Sequence, residues 1–401
     1  MRWIARRRLP SIVGAVVHLL LAASPVASQL TTQRDSSGVL ITENRAPRVT
    51  EPLRLTHAPT VEVGDPEGRH GTDLAVILSA VLLPGDGFAV VDLHGREIRI
   101  FDERTGALVR TIGRSGEGPG EFAAAPTISV ANDGSLWAWD PGNWRLSRFE
   151  QSGELVEERR FPPSLLEGVP SQFALRTWHV SPEGSVLSLA SRPTRPGLIE
   201  RQARLLDPSN EAPVRVGPPW TLEQVQDGNY LLPDPFKSFL MGVTLGERIV
   251  ISRPGGWQLG VYDRGGTLLQ QVRSPIPRAN VTRELIASVR SYLEESYPQN
   301  PQFARLLDRM ELPDSASAIS DLIPVADEES LWVLRWVPQG VPSERVYDII
   351  DGRGRWIRTV RVPAAAGEVR DLREDRVLTV YRDPLGVPYV RVYRLPEQAP
   401  H

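Results

Sequence analysis

Gly113-Arg-Ser-Gly116-Glu-Gly118-Pro-Gly120-Glu-Phe122 is followed by Pro126, by Ile128-Ser-Val130, by Asp133-Gly134 and by Leu136-Trp-Ala-Trp-Asp140. Asn143-Trp-Arg145-Leu-Ser-Arg-Phe149 comes next, then Gly153 ahead of Leu155-Val156. Apolar residues alternate over short runs, and Gly, Asp-Gly and Pro-Gly punctuate them. That is the pattern of four short strands joined by tight turns. The composition agrees: 33 Gly and 36 Pro in 401 residues that are still 41% hydrophobic argue for many turns around a packed core rather than for disorder.

The same order recurs along the chain. Upstream, Leu83-Pro-Gly-Asp86-Gly87 turns into Phe88-Ala-Val-Val-Asp92, then Glu97-Ile-Arg-Ile-Phe101 and Leu108-Val-Arg-Thr-Ile112. Downstream, second strands read as Val186–Leu189, Arg248–Ile251, Leu331–Leu334 and Val377–Tyr381, and third strands follow at Leu259–Tyr262, Val346–Ile350 and Tyr389–Tyr393. The last unit runs out of chain near Leu395. Thr60-Val-Glu-Val63-Gly64 aligns with Arg110-Thr-Ile112-Gly113, so residues near 60 to 63 are expected to supply the missing outer strand. Between the fourth and fifth units, Leu285, Ile286, Val289, Leu293 and Tyr297 fall at helical spacing, and Phe303, Leu306, Leu307 and Met310 suggest a second short helix.

The unit from Gly113 to Val156 resembles an NHL repeat, one blade of a β-propeller. Glycines, Phe122, Asp-Gly and the Asp140…Asn143…Arg145 spacing carry the resemblance. The chain as a whole is similar to exported bacterial six-bladed β-propellers of the NHL and TolB-like type. The resemblance implies an all-β fold over 59–398, closed by an N-terminal strand, with a helical hairpin inserted at 280–312.

Residues 1–28 read as a signal peptide, ahead of an N-terminal segment at 29–58. Arg2, Arg6, Arg7 and Arg8 precede an apolar stretch from Ile12 to Ala23, and Val26 and Ser28 suit a cut before Gln29. The stretch is shorter than the about 20 residues of a stable span. The mature protein is therefore expected to be periplasmic or secreted, with no membrane span. Losing four arginines takes the formal charge of −3 further negative, which disfavours nucleic acid as a partner. Cys is absent, so thiolate chemistry, disulfides and Cys-based zinc sites are excluded. Lys237 is the single lysine, and the Gly113–Gly120 run lacks the Lys-Ser/Thr ending of a phosphate loop. No His pairs with another at ligand spacing, and no Gly-x-Ser-x-Gly elbow occurs. No catalytic residue, metal or cofactor is assigned.

The second strands end in Asp92 and Asp140 in blades one and two, and in Arg192, Arg253, Arg335 and Arg382 in blades three to six. In a propeller those ends share a face with the inter-blade crossovers. Together with Trp144 and Trp336 they are candidates for a polar rim that binds a protein partner or an anionic or polyhydroxylated ligand through arginine forks. The competing reading makes them turn-enders, Asp capping its own loop and Arg pairing locally. A non-catalytic binding module is the expectation. The alternative, from similar six-bladed lactonases, is a metal-dependent hydrolase holding a channel ion with Glu, Asn and Asp, although Asn is scarce here.

Overall fold

The structure is a computed structural model. It describes residues 30–396 apart from 56–57, 66–71, 163–164, 166–175, 196–197, 208, 211, 228–229, 238–239, 254, 297–298, 301–303, 306, 326–328 and 339–342; nothing is said of side chains at 176–178, 222–233 and 296. The segment expected to be a signal peptide, Gly68, Gly71, Tyr297, Phe303 and Leu306 lie outside the described residues.

Among the described residues, twenty-eight strands form six sheets that follow chain order and are antiparallel except where two strands of the N-terminal arm join them. The first two sheets run from Ile77–Leu83 to Leu108–Ile112 and from Thr127–Val130 to Leu155–Arg160. The first strands of consecutive sheets lie against one another, and that of the sixth, Glu368–Arg373, lies against that of the first. The sheets are therefore blades around a closed ring. An apolar layer fills each gap between neighbours. Phe88, Val90 and Phe101 of blade one meet Leu378, Val390 and Val392 of blade six, and five equivalent layers fill the other gaps. Alternating side chains point to opposite faces of a strand, so each blade covers both neighbours and the Val/Leu/Phe-rich strands bury both faces.

The N-terminal arm runs along three blades. Val39–Asn44 adds in parallel to blade four, Leu53–Arg54 adds in parallel to blade five, and Val61–Val63 pairs antiparallel with Pro388–Arg394 of blade six. Asn44 is buried and locks the arm to blade five, donating to the Gly354 carbonyl (2.9 Å) and accepting from the Trp356 amide (3.0 Å). Blade three departs from the expected outline. Its outer strand Val214–Asp227 runs on past Gly217 and folds back in Tyr230–Pro233. Gly217, at φ +66°, permits the bend.

The innermost strands have no neighbour on the channel side, so some of their amides need other partners. Blades one, three, five and six each carry a bulge there, followed by a polar residue: Ser79, His179, Asp321 and Asp371. Three of these reach the next blade. Ser79 Oγ accepts from the Ile128 amide (3.2 Å), His179 Nδ1 from the Thr244 amide (3.3 Å), and Asp371 from the Leu82 amide (2.7 Å). The bulge re-aims the side chain toward the neighbour. Burial pushes His179 down to about 4 and Asp371 up to about 6.

A raised carboxyl pKa favours the folded state only while the group is protonated. Asp371 therefore adds stability below its ordinary value of 3.8 and loses it as pH rises through about 6. Asp371→Asn keeps an acceptor for Leu82 and removes the charge. Urea unfolding should find it more stable than wild type at pH 8 by about 1–3 kcal/mol and equal at pH 4. A pH-independent difference would contradict this reading.

Candidate functional site

Asp92 and Asp140 end their strands in the same way. Asp92 accepts from the amides of Ala75 (2.6 Å), Val76 (3.0 Å) and His94 (2.9 Å). Asp140 accepts from Ala123 (2.8 Å), Ala124 (3.1 Å) and Gly142 (2.8 Å). Burial alone would raise the Asp92 carboxyl; the three amides outweigh it and hold the group below its ordinary value. Each carboxylate thus fastens the segment entering its own blade as well as its own turn, and is occupied by main-chain donors. Asn143 and the buried Arg145 complete the clamp in blade two, donating to the carbonyls of Gly116 (3.3 Å) and Glu117 (3.3 Å). The spacing quoted for the repeat therefore secures the glycine-rich crossover.

The arginines separate. Arg192 lies inside a strand that continues to Arg195, not at its end, and pairs across the strand with Glu200 at 2.6 Å. Arg382 is exposed and donates to the Gly386 carbonyl of its own turn (3.3 Å). Arg253 sits in the turn after Arg248–Ser252, with its Nε buried and lacking a hydrogen-bond partner. Trp144, left-handed at φ +52°, packs edge-on to Trp139 at 6.0 Å.

Arg335 and Trp336 come together on one groove of 310 Å³ at the junction of blades four and five. One wall is the crossover Ile276, Pro277, Arg278 and Ala279; the other is Arg335, Trp336 and Val337 leaving the second strand of blade five, with Glu344 and Val346 completing it. Crossovers and second-to-third loops share this face, so the groove opens on it. Arg335 is held rigidly. Its Nε and Nη2 donate to both oxygens of Asp348 (3.0 and 2.9 Å), its guanidinium lies 5.6 Å from the centre of the Trp356 ring, and Asp348 also accepts from Trp257 Nε1 (3.1 Å) and Thr359 (3.3 Å). Burial raises the Asp348 carboxyl above its ordinary value, against the opposing pull of Arg335. Two donor atoms of the fork are used, and Nη1 remains for the groove.

The helix Arg283–Ser296 stands beside this site. The two ends of its excursion are zipped together, Val281 N donating to Asp314 O (2.9 Å) and Ala316 N to Ala279 O (2.8 Å). Val289, Leu293 and Leu307 pack onto Phe236 and the inner side of Trp336, whose ring lies 6.3 Å from Phe236. Beyond the helix, the described part of the expected second helix is helical at Ala304 and Arg305 and a 3-10 turn at Leu307–Arg309. The sequence singled out Arg335 and Trp336 but missed Arg278, Glu344 and Asp348. The chain order Arg278-Ala-Asn280 carries no signal that a crossover would face a strand end some 57 residues later.

A family profile described as a 6-bladed beta-propeller matches residues 74–175. The fold is a six-bladed β-propeller. No curated protein matches the sequence. Among solved structures the propeller is similar to a protein from Bacteroides fragilis described as exported, at 13% identity over 89% of this chain and 100% of that one, with a TM-score of 0.40. It is also similar to a gluconolactonase from Xanthomonas campestris, at 14% identity over 91% and 100% with a TM-score of 0.41. A virginiamycin B lyase from Staphylococcus aureus matches at 9% identity over 80% of each chain with a TM-score of 0.34. Propellers host enzymes and binding scaffolds alike, so likeness of fold at this level does not assign an activity. Among the described residues, no helix is long and apolar enough to cross a membrane.

Proposed function

We propose that the protein is an exported, non-catalytic binding propeller whose recognition site is the groove between blades four and five. One observation carries the reading: an immobilised guanidinium, a half-buried indole and a second arginine converge on 310 Å³ of open space beside the helical insertion. That volume lies at the lower end of the range for small-molecule sites, and a rigid wall reduces the ordering cost of binding. The four remaining candidates Asp92, Asp140, Arg192 and Arg382 are occupied by local partners and take no part. Arg253 and Trp144 are assigned no role at the groove.

A panel of small carboxylates and sugars, read by thermal shift, tests the location. Arg278→Glu and Trp336→Ala should abolish any shift, while Arg192→Glu and Arg382→Glu, outside the groove, should preserve it. Binding indifferent to all four, or turnover of a lactone, would refute the proposal. Arg278 is exposed, so its variant isolates binding from folding.

A further inference from the structure

We infer that the ligand of this groove is a carboxylate carrying an apolar body, rather than a polyhydroxylated compound. The inference rests on the groove being the binding site and goes on to name what fills it.

The deciding quantity is the balance of donors and acceptors. A sugar brings many hydroxyl donors and needs carboxylates or amide oxygens to receive them. Here side-chain acceptors are few. Asp348 receives four donors, from Arg335 twice, Trp257 and Thr359, which exhausts the lone-pair sites of a carboxylate. Glu344 is ion-paired with Arg54 Nη1 on one oxygen (3.1 Å) and Arg361 Nη1 on the other, and among the described residues the Ser317 hydroxyl is the one other side-chain acceptor on the wall. Charged donors, in contrast, are in surplus. Among the described residues, neither Arg335 Nη1 nor Arg278 on the facing wall has a protein partner. An acceptor-only headgroup fits that surplus, and arginine forks recognise carboxylates best.

Apart from the Ser317 hydroxyl, the remaining wall is apolar. Ile276, Pro277, Val337 and Val346 offer no side-chain hydrogen bond, and Trp336 adds a ring. An apolar ligand body would displace water from these surfaces. Glu344, also on the wall, is already paired with Arg54 and Arg361, so the charge the groove leaves open is that of Arg278 and Arg335. An anionic headgroup and an apolar body therefore fit the same space.

The test uses the mature protein at pH 7, with calorimetry and tryptophan fluorescence as readouts and three probes: phenylacetate, its neutral isostere phenylacetamide and glucose. Phenylacetate should bind saturably, with the amide weaker by about tenfold or more, since one charge-assisted hydrogen bond is worth about that factor. Arg278→Ala and Arg335→Lys should each weaken phenylacetate by about tenfold, and thermal melting will show whether either variant is folded. Equal binding of phenylacetate and phenylacetamide would overturn the carboxylate assignment. Glucose binding that depends on Arg278, with phenylacetate inert, would overturn the ligand class and leave the groove standing. If no probe shows groove-dependent binding, both the class and the groove fail together.

Discussion

Arg376→Ala is expected to destabilise the folded propeller by about 3–5 kcal/mol, the cost of leaving one member of a buried ion pair alone. Arg376 begins the second strand of blade six and Glu103 follows the third strand of blade one. Each is only 3% exposed, and they lie 3.0 Å apart. The same guanidinium donates to the carbonyls of Gly85 (2.6 Å) and Leu83 (3.0 Å) in the first turn of blade one. Arg394 reaches the other Glu103 oxygen at 3.0 Å. This cluster ties the last blade to the first on the face opposite the groove, adding to the link made by the closing strand Val61–Val63, which leads into Ile77–Leu83. Removing Glu103 should be as harmful, because the buried Arg376 then lacks its counter-charge, whereas Arg394 keeps Asp375 at 2.7 Å. Glu103→Leu combined with Arg376→Met should recover much of the loss, since no charge is left stranded. Chemical unfolding of the single and double variants measures all three values. A cost below about 1 kcal/mol for Arg376→Ala would show that the cluster is not what fastens the seam.

Phe122→Ala is the second large effect, with an expected loss of about 3–5 kcal/mol from transfer and cavity terms. The ring is fully buried between blades one and two, in the layer with Val91, Ile98 and Leu136, and meets Phe149 edge-on at 6.0 Å. It also anchors the crossover. Phe122 forms a parallel bridge with Ser115, and its amide donates to the Arg114 carbonyl (2.8 Å). Gly113 lies directly over the ring at φ +75°, so a Cβ there would strike Phe122 as well as strain the backbone. Phe122→Leu should lose less than half as much, because most of the volume is kept. Equal losses for Leu and Ala would show that the ring fills no specific space.

The fold class was readable because its signals are local. Asp133-Gly134 turns, alternating runs such as Leu136–Asp140 and the placement of Phe122 each depend on a few neighbouring residues, and repetition multiplies a weak signal. Blade three was the hardest to read for the same reason. Its strands are long, and Pro193, Pro218 and Pro219 interrupt an alternation that nonetheless continues.

The candidate site was legible only in fragments. Asp92 and Arg335 look alike in sequence, each a charged residue closing an apolar strand. One is surrounded by three amides, two from the segment just before its blade and one from the loop that follows it. The other is held by a carboxylate thirteen residues on and faces a crossover from the neighbouring blade. No spacing rule separates the two cases, since what distinguishes them is which groups the fold brings within 3 Å.

Order along the chain was sufficient to establish repeating four-stranded units, their number and the helix between the fourth and fifth, because hydrophobic period and turn chemistry act over a few residues. The tertiary structure alone decided the register of Val61–Val63 on the last blade, the Arg376–Glu103 seam and the meeting of Arg278 with Arg335. These are contacts across tens to hundreds of residues, and their energies depend on distance and burial, which exist only once the ring is formed.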